Sequence, residues 1–184
     1  DVVDSTEPTE RLYLGGNYYD APAVLVKQNG QSSVYYIHRD YLGSVLQIVD
    51  TKGKIVEENS FDAWGCRRNP VTQVVYATDT APKLMLGRGF TGHEHLAMFG
   101  LINMNARLYD PVLGRFLSPD PYVQVLGFTQ AFNRFSYCMN SPLCYVDENG
   151  EFWWIAAAAF IGGAINVATN WKNIDNFWQG VGYF

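Results

Sequence analysis

At 184 residues, with 48% hydrophobic and 17% charged side chains, the chain is long enough to bury a core and too apolar for a disordered polymer. Its net charge of −5, with no basic run longer than Arg67-Arg68, argues against nucleic-acid binding, which rests on neutralised phosphates. Aromatic residues reach 15%, a content that suits strands and half-wetted faces better than helical bundles. Cys66, Cys138 and Cys144 are odd in number, and their spacing fits neither a disulfide framework nor a zinc knuckle. They read as free, small, buried residues. The chain opens on Asp1, not Met, without a secretory signal, and reads as a processed or excised piece.

Residues 1–10 are polar, acidic and interrupted by Pro8, which predicts a loosely held arm. A core of β structure is expected over residues 11–150. Leu12-Tyr13-Leu14 opens it, and Ala23 to Lys27 runs into Asn29-Gly30, a pair that tolerates positive φ at both positions. Val34 to Ile37 then returns antiparallel to Val24–Val26. Beyond this hairpin an acidic-to-glycine frame recurs: Asp40/Gly43, Asp50/Gly53, Asp62/Gly65 and Asp147/Gly150. Asp followed by Gly three residues later favours a type I turn. Eleven aspartates and 17 glycines would give about one such pair by chance, and there are four. The first three are separated by short β-forming stretches, Ser44–Val49 and Lys54–Phe61, the pattern of an antiparallel meander.

Asn69-Pro70 begins a different tract, with Val71–Tyr76 a strand candidate and residues 78–82 an expected bulging or mobile loop. Leu101 to Tyr109 alternates apolar Ile102, Met104, Ala106 and Leu108 with polar Asn103, Asn105 and Arg107, which predicts one strand. Asp110-Pro111 ends it, Gly114 supplies a loop, and Arg115-Phe116-Leu117 returns before Ser118-Pro119-Asp120-Pro121. Thr129 caps a predicted short helix over residues 129–139, with Phe132, Phe135 and Met139 on one face. Leu143 to Val146 reads as a last strand. Residues 151–184 form a variable apolar segment expected to be helical. Its uninterrupted run, Phe152 to Ile165, is shorter than the ~20 residues a bilayer requires, so a membrane span is not expected.

The run from Arg107 through Pro121 resembles a sentence found in RHS (YD-repeat) proteins, in their repeat-associated core. Arg39 to Val45, Phe61 to Gly65 and Asn133 to Tyr137 fit the same family in the same order. The resemblance covers roughly Tyr35 to Gly150, with a poor stretch between about Pro70 and Lys83. It implies degenerate YD repeats folded as hairpins, and a core that plugs one end of a hollow shell. That shell would be the upstream part of the same polypeptide. The segment beyond the core would be a C-terminal effector, with an immunity protein as its partner, in a secreted or cell-surface delivery system or in contact-dependent competition.

The resemblance also raises self-cleavage. Some relatives cut their own chain after the core with aspartates that act as a pair, sharing a proton to activate water. The family's first aspartate matches Asp120, and a motif arginine matches Arg115. The second aspartate is expected just before Asn133, where residues 125–130 hold no acid. The cleavage motif Asp-Pro-x-Gly-Leu stands here as Asp147-Glu148-Asn149-Gly150-Glu151. Both departures argue against cleavage. His93-Glu94-His95 suggests a metal only superficially, because a zinc-protease helix needs histidines four apart and position 97 is Ala. Gly92-His93 in a turn, with the His93 imidazole bonded to backbone, is the simpler reading, with no metal. No nucleophile elbow, phosphate loop or dinucleotide fingerprint occurs, so no cofactor is expected. The aromatic strands leave a surface carbohydrate-binding or adhesion module as an alternative role.

Overall fold

A computed structural model describes residues 9–77, 80–121 and 132–151. The chain is built of antiparallel strands, and its compact parts divide into two units: residues 1–103 with 109–114, and residues 104–108 with 115–184. Among the described residues no helix is long and apolar enough to cross a membrane. The expected apolar helix of residues 151–184 lies outside the described residues after Glu151.

The first unit opens with β1 (Glu10–Leu14), β2 (Ala23–Gln28), β3 (Gln31–Arg39), β4 (Val45–Asp50) and β5 (Ile55–Glu58). They form one sheet in the order β1-β2-β3-β4-β5, so spatial order equals chain order. This is the predicted meander. Its registers place Val24 opposite Tyr35, Gln28 opposite Gln31, and Ile37 opposite Ile48. Val24, Val26, Ile37, Val45 and Ile48 turn inward and, with Leu86, make a buried cluster against which Tyr13, Tyr35 and Met85 pack. Burying one such aliphatic side chain contributes about 1.5–3 kcal/mol, so the alternating inward positions hold the sheet's face.

The turns between these strands are those the Asp–Gly spacing predicts. At Asp40, Asp50 and Asp62 the glycine three residues on donates its N–H to the aspartate carbonyl, at 3.0, 3.1 and 3.1 Å. Each aspartate Oδ1 accepts two further backbone N–H groups, two and four residues ahead: Leu42 and Ser44, Lys52 and Lys54, Trp64 and Cys66. The side chain thereby satisfies donors that a bare turn would leave to water. Asp62–Gly65 joins the short pair β6 (Ser60–Phe61) and β7 (Arg67–Arg68).

Further on, β8 (Glu94–Leu96) pairs with β9 (Leu101–Asn103), followed by β10 (Leu108–Asp110) and β11 (Arg115–Phe116). The strand order of this sheet is β11-β10-β9-β8. The single strand expected over Leu101–Tyr109 is therefore two strands. Met104 N–H reaches the Arg107 carbonyl at 3.1 Å and Asn105 adopts φ 67°, so the chain reverses between them. Alternation continues through a tight reversal, which is why periodicity alone did not reveal it.

Three other expectations change in the structure. Val71–Tyr76 is a turn joined to the β structure by a bridge from Arg68 to Val75 and by the Ser60 hydroxyl, which donates to Gln73 Oε1; the Asn69 side chain caps Val71 and Thr72 and draws the backbone away from a ladder. Leu143–Val146 is turn and irregular chain. Of the helix expected over residues 129–139, the described part, 132–139, is not α-helical. Ser136 bridges to Arg115, Phe116 donates to the Phe135 carbonyl, and Cys138 and Met139 have φ of 47° and 49°. Pairing with β11 competes with helix there, and both the N–H and the hydroxyl of Ser136 bond the Asn133 carbonyl.

Candidate functional site

The second unit buries three charged side chains together. Arg107, Asp120 and Asp147 are 5%, 5% and 1% exposed, far below what isolated ions tolerate. Arg107 Nη2 lies 3.3 Å from Asp120 Oδ2 and 3.3 Å from Asp147 Oδ2, so one guanidinium nitrogen serves both carboxylates. Local chain geometry positions each member. Arg107 ends the reversal after β9, Asp120 sits in the Pro-bracketed exit from β11, and Asp147 opens the fourth Asp–Gly turn. The Asp120 backbone is fixed as well, its N–H donating to the Arg134 carbonyl and its carbonyl accepting Arg134 Nε. The Arg107 guanidinium stacks over the Phe116 ring, 3.7 Å from the ring centre, and Phe116 meets Tyr137 edge-on. Burial pulls the Arg107 guanidinium below its ordinary pKa, while Asp120 and Asp147 hold it up.

The same arginine grips the chain at the end of the core. Its Nε donates to the Gly150 carbonyl, and its Nη1 donates to the Arg134 carbonyl at 3.2 Å. The Gly150 N–H donates to Asp147 Oδ1 at 2.8 Å. Ala106 N–H reaches the Asn149 carbonyl at 3.1 Å, and Asn105 Nδ2 reaches the Glu148 carbonyl at 2.7 Å. Residues 147–150 are thus clipped to the turn at 104–107. Gly150 is required on two counts. Its φ is +75°, and a Cβ there would stand 2.2 Å from the Met104 carbonyl oxygen.

Of the two site residues expected from sequence, Asp120 is in this cluster and Arg115 is not. Arg115 Nη1 instead donates to Asn140 Oδ1 at 3.0 Å. Arg107 and Asp147 complete the cluster, and sequence reasoning assigned neither to it. Arg107 sat at a polar position of an alternating stretch, which reads as solvent-facing. Asp147 looked like one more turn residue, though it lies in the stretch that replaces the cleavage motif.

The histidines go separate ways. His93 is buried, with Nδ1 2.8 Å from the Thr91 hydroxyl and its ring against Tyr19. His95, in β8, is bonded to backbone: its Nε2 accepts the Phe90 N–H at 3.0 Å, which assigns its proton to Nδ1. Burial, then Arg67 and His93, push its pKa down to about 3, so it stays neutral at any physiological pH.

Comparison with known proteins matches residues 9–143 to the Teneurin YD-shell family. The tRNA3(Ser)-specific nuclease WapA of Bacillus spizizenii is 29% identical over 160 residues, 86% of this chain and 6% of the relative. Toxin protein Tse5 of Pseudomonas aeruginosa is 29% identical over 132 residues, 70% of this chain and 9% of the relative. The crystal structure of TcdB2-TccC3-TEV superposes with a TM-score of 0.60 over 79% of this chain and 7% of that one, at 22% identity, a likeness of fold. The chain therefore spans less than a tenth of the length of these relatives.

Proposed function

Since the chain belongs to the YD-shell family of RHS (YD-repeat) proteins, we propose that it is the closing core of such a shell. Its work would be structural: to end the repeat array and to hold the chain where it leaves the core towards a C-terminal effector segment. The partners in this reading are the upstream YD-repeat shell of the same polypeptide and that segment, in a protein exported to the medium or the cell surface. Relatives named as toxins and nucleases support a delivery role. The observation that carries the reading is the clip at the exit. A guanidinium buried between two carboxylates holds the Gly150 carbonyl, and no exposed tether would need that much burial. The test is limited proteolysis of the full-length polypeptide. Arg107→Met should expose the chain beyond Glu151 to protease while the wild type keeps it protected. Equal digestion of both would overturn the reading.

A second reading, self-cleavage after Gly150, is favoured by one specific feature. Asp120 and Asp147 converge on one nitrogen, and the carbonyl of the bond in question is already a hydrogen-bond acceptor. With one proton shared between the two carboxyls, the ionised one would take a proton from water as the water oxygen adds to the Gly150 carbonyl carbon, and the protonated one would pass its proton to the departing Glu151 nitrogen. The products would be a Gly150 carboxylate and a new amino terminus at Glu151. Asp147 then fills the role for which residues 125–130 have no acid. Cleavage at Gly150–Glu151 that disappears in Asp120→Asn and in Asp147→Asn would support it. A chain that stays whole, or breaks in both variants, would remove it.

A further inference from the structure

The sequence contains Asn-Gly twice, at Asn29-Gly30 and at Asn149-Gly150. This dipeptide is prone to a spontaneous reaction because glycine leaves its amide nitrogen unhindered. That nitrogen, after losing its proton to hydroxide, attacks the asparagine Cγ. The new C–N bond closes a succinimide, the Cγ–Nδ2 bond breaks, and ammonia leaves. Water then opens the ring at either carbonyl to give aspartate or isoaspartate. Nothing beyond water and hydroxide is consumed.

The two sites form a matched pair. Both asparagine residues are exposed, and both glycines are left-handed, with φ of +73° and +75°. They differ in what holds the attacking nitrogen. At the second site Gly150 N–H is bonded to Asp147 Oδ1, Asn149 Oδ1 accepts the Glu151 N–H at 3.0 Å, and the Asn149 and Gly150 carbonyls are held by Ala106 and Arg107. The attacking nitrogen, the side-chain oxygen and both carbonyls are tied, and Gly150 itself is buried. At the first site the picture reverses. Gly30 has open space around it, and the seven residues 27–33 are all exposed. Among the described residues no hydrogen bond holds the Asn29 side chain or the Gly30 N–H. Attack requires the turn to swing out of its left-handed shape. At a protruding tip this costs only fraying of the last pair, Gln28 with Gln31.

We propose that Asn29 is the site of spontaneous deamidation and isoaspartate formation in the folded chain, and that Asp147 and Arg107 shield Asn149. The product adds one negative charge beside Lys27, and isoaspartate inserts an extra methylene into a two-residue turn. That turn fixes the β2–β3 register, so the modification acts on the meander at its most exposed point.

The test is timed incubation of the intact chain at mildly alkaline pH, followed by peptide mapping with isoaspartate detection. In the folded protein Asn29 should convert at least about tenfold faster than Asn149. In denaturant the two rates should converge. Asn29→Gln should abolish the early product without changing the Asn149 rate. Equal conversion at both sites in the folded chain, or Asn29 conversion no faster than that of Asn149, would overturn the proposal. So would persistence of the rate difference after unfolding, since that would place its cause in local sequence.

Discussion

Four turns share one sequence frame and are wired in two ways. At Asp40, Asp50 and Asp62 the aspartate spends both side-chain bonds on its own turn, and the glycine N–H goes to the aspartate carbonyl. At Asp147 the glycine N–H goes to the side chain, and the other carboxylate oxygen reaches across the unit to Arg107. The first kind needs nothing outside four or five residues. The second makes sense only with Arg107 and Asp120 in place. A frame repeated along a chain can thus be a self-sufficient fold signal at three positions and half of a tertiary clamp at the fourth.

The largest effect should come from removing the clamp's cation. Arg107→Ala leaves Asp120 and Asp147 buried without their counter-charge, and breaking a buried pair in this way costs about 3–5 kcal/mol. Urea denaturation should show that loss. A drop under 1 kcal/mol, the scale of an exposed ion pair, would mean the cluster is solvated and the contrast between the turns is false.

Glycine replacements sharpen the same contrast. Gly53 and Gly150 have φ of +81° and +75°, but a Cβ on Gly53 meets nothing within 4 Å, while on Gly150 it strikes the Met104 carbonyl. Gly53→Ala should cost only the left-handed penalty, about 1–2 kcal/mol. Gly150→Ala adds an overpacking term and should cost about 2–5 kcal/mol in total. Similar midpoints for the two variants would show that Gly150 is not tightly enclosed.

These differences explain what could be read from the sequence and what could not. The meander was legible because its information is local: Asn29-Gly30 and three Asp–Gly frames define reversals, and Val24, Val26, Ile37 and Ile48 alternate between them. The reversal at Asn105 was hidden because its polar and apolar positions keep the strand period across it. Asp120 was found through a family motif, whereas Arg107 and Asp147 were not, because a buried charge looks like a surface charge until its partner is known. Arg115 was chosen on the motif alone and lies elsewhere, beside Asn140. The helix predicted from Phe132, Phe135 and Met139 lost to pairing of that stretch with β11, a long-range competitor that no local window contains.

A smaller step separates the self-sufficient turns from a bare loop. In Asp62→Ala the N–H groups of Trp64 and Cys66 lose their acceptor, and charge-assisted bonds of this kind contribute about 1.5–3 kcal/mol at most, less where water can replace the carboxylate. A loss of about 1–2 kcal/mol is expected, with no change in the rest of the sheet's hydrogen-exchange protection. Collapse of protection across β1–β5 would mean that this turn is not self-sufficient.

The finest discrimination is by pH, at Asp50. The Lys54 N–H, then the Lys52 N–H, hold its carboxylate and depress its pKa in the folded chain. A depressed folded value binds the proton less readily than the unfolded chain does, so the unfolded state takes up protons first on acidification. The stabilisation is complete above the unfolded carboxylate pKa of about 3.9 and is lost as pH falls through the folded value. Asp50→Asn removes that dependence while keeping an acceptor oxygen for both N–H groups. The variant and the parent should therefore diverge in stability above this window and approach one another below it. Asp50 is half-buried in a turn at the surface, within reach of salt, so the divergence should shrink in high salt, as one confined to a surface turn must. A difference that widened on acidification would reverse the sign of the argument, and would assign the turn's stability to backbone geometry instead of to its carboxylate.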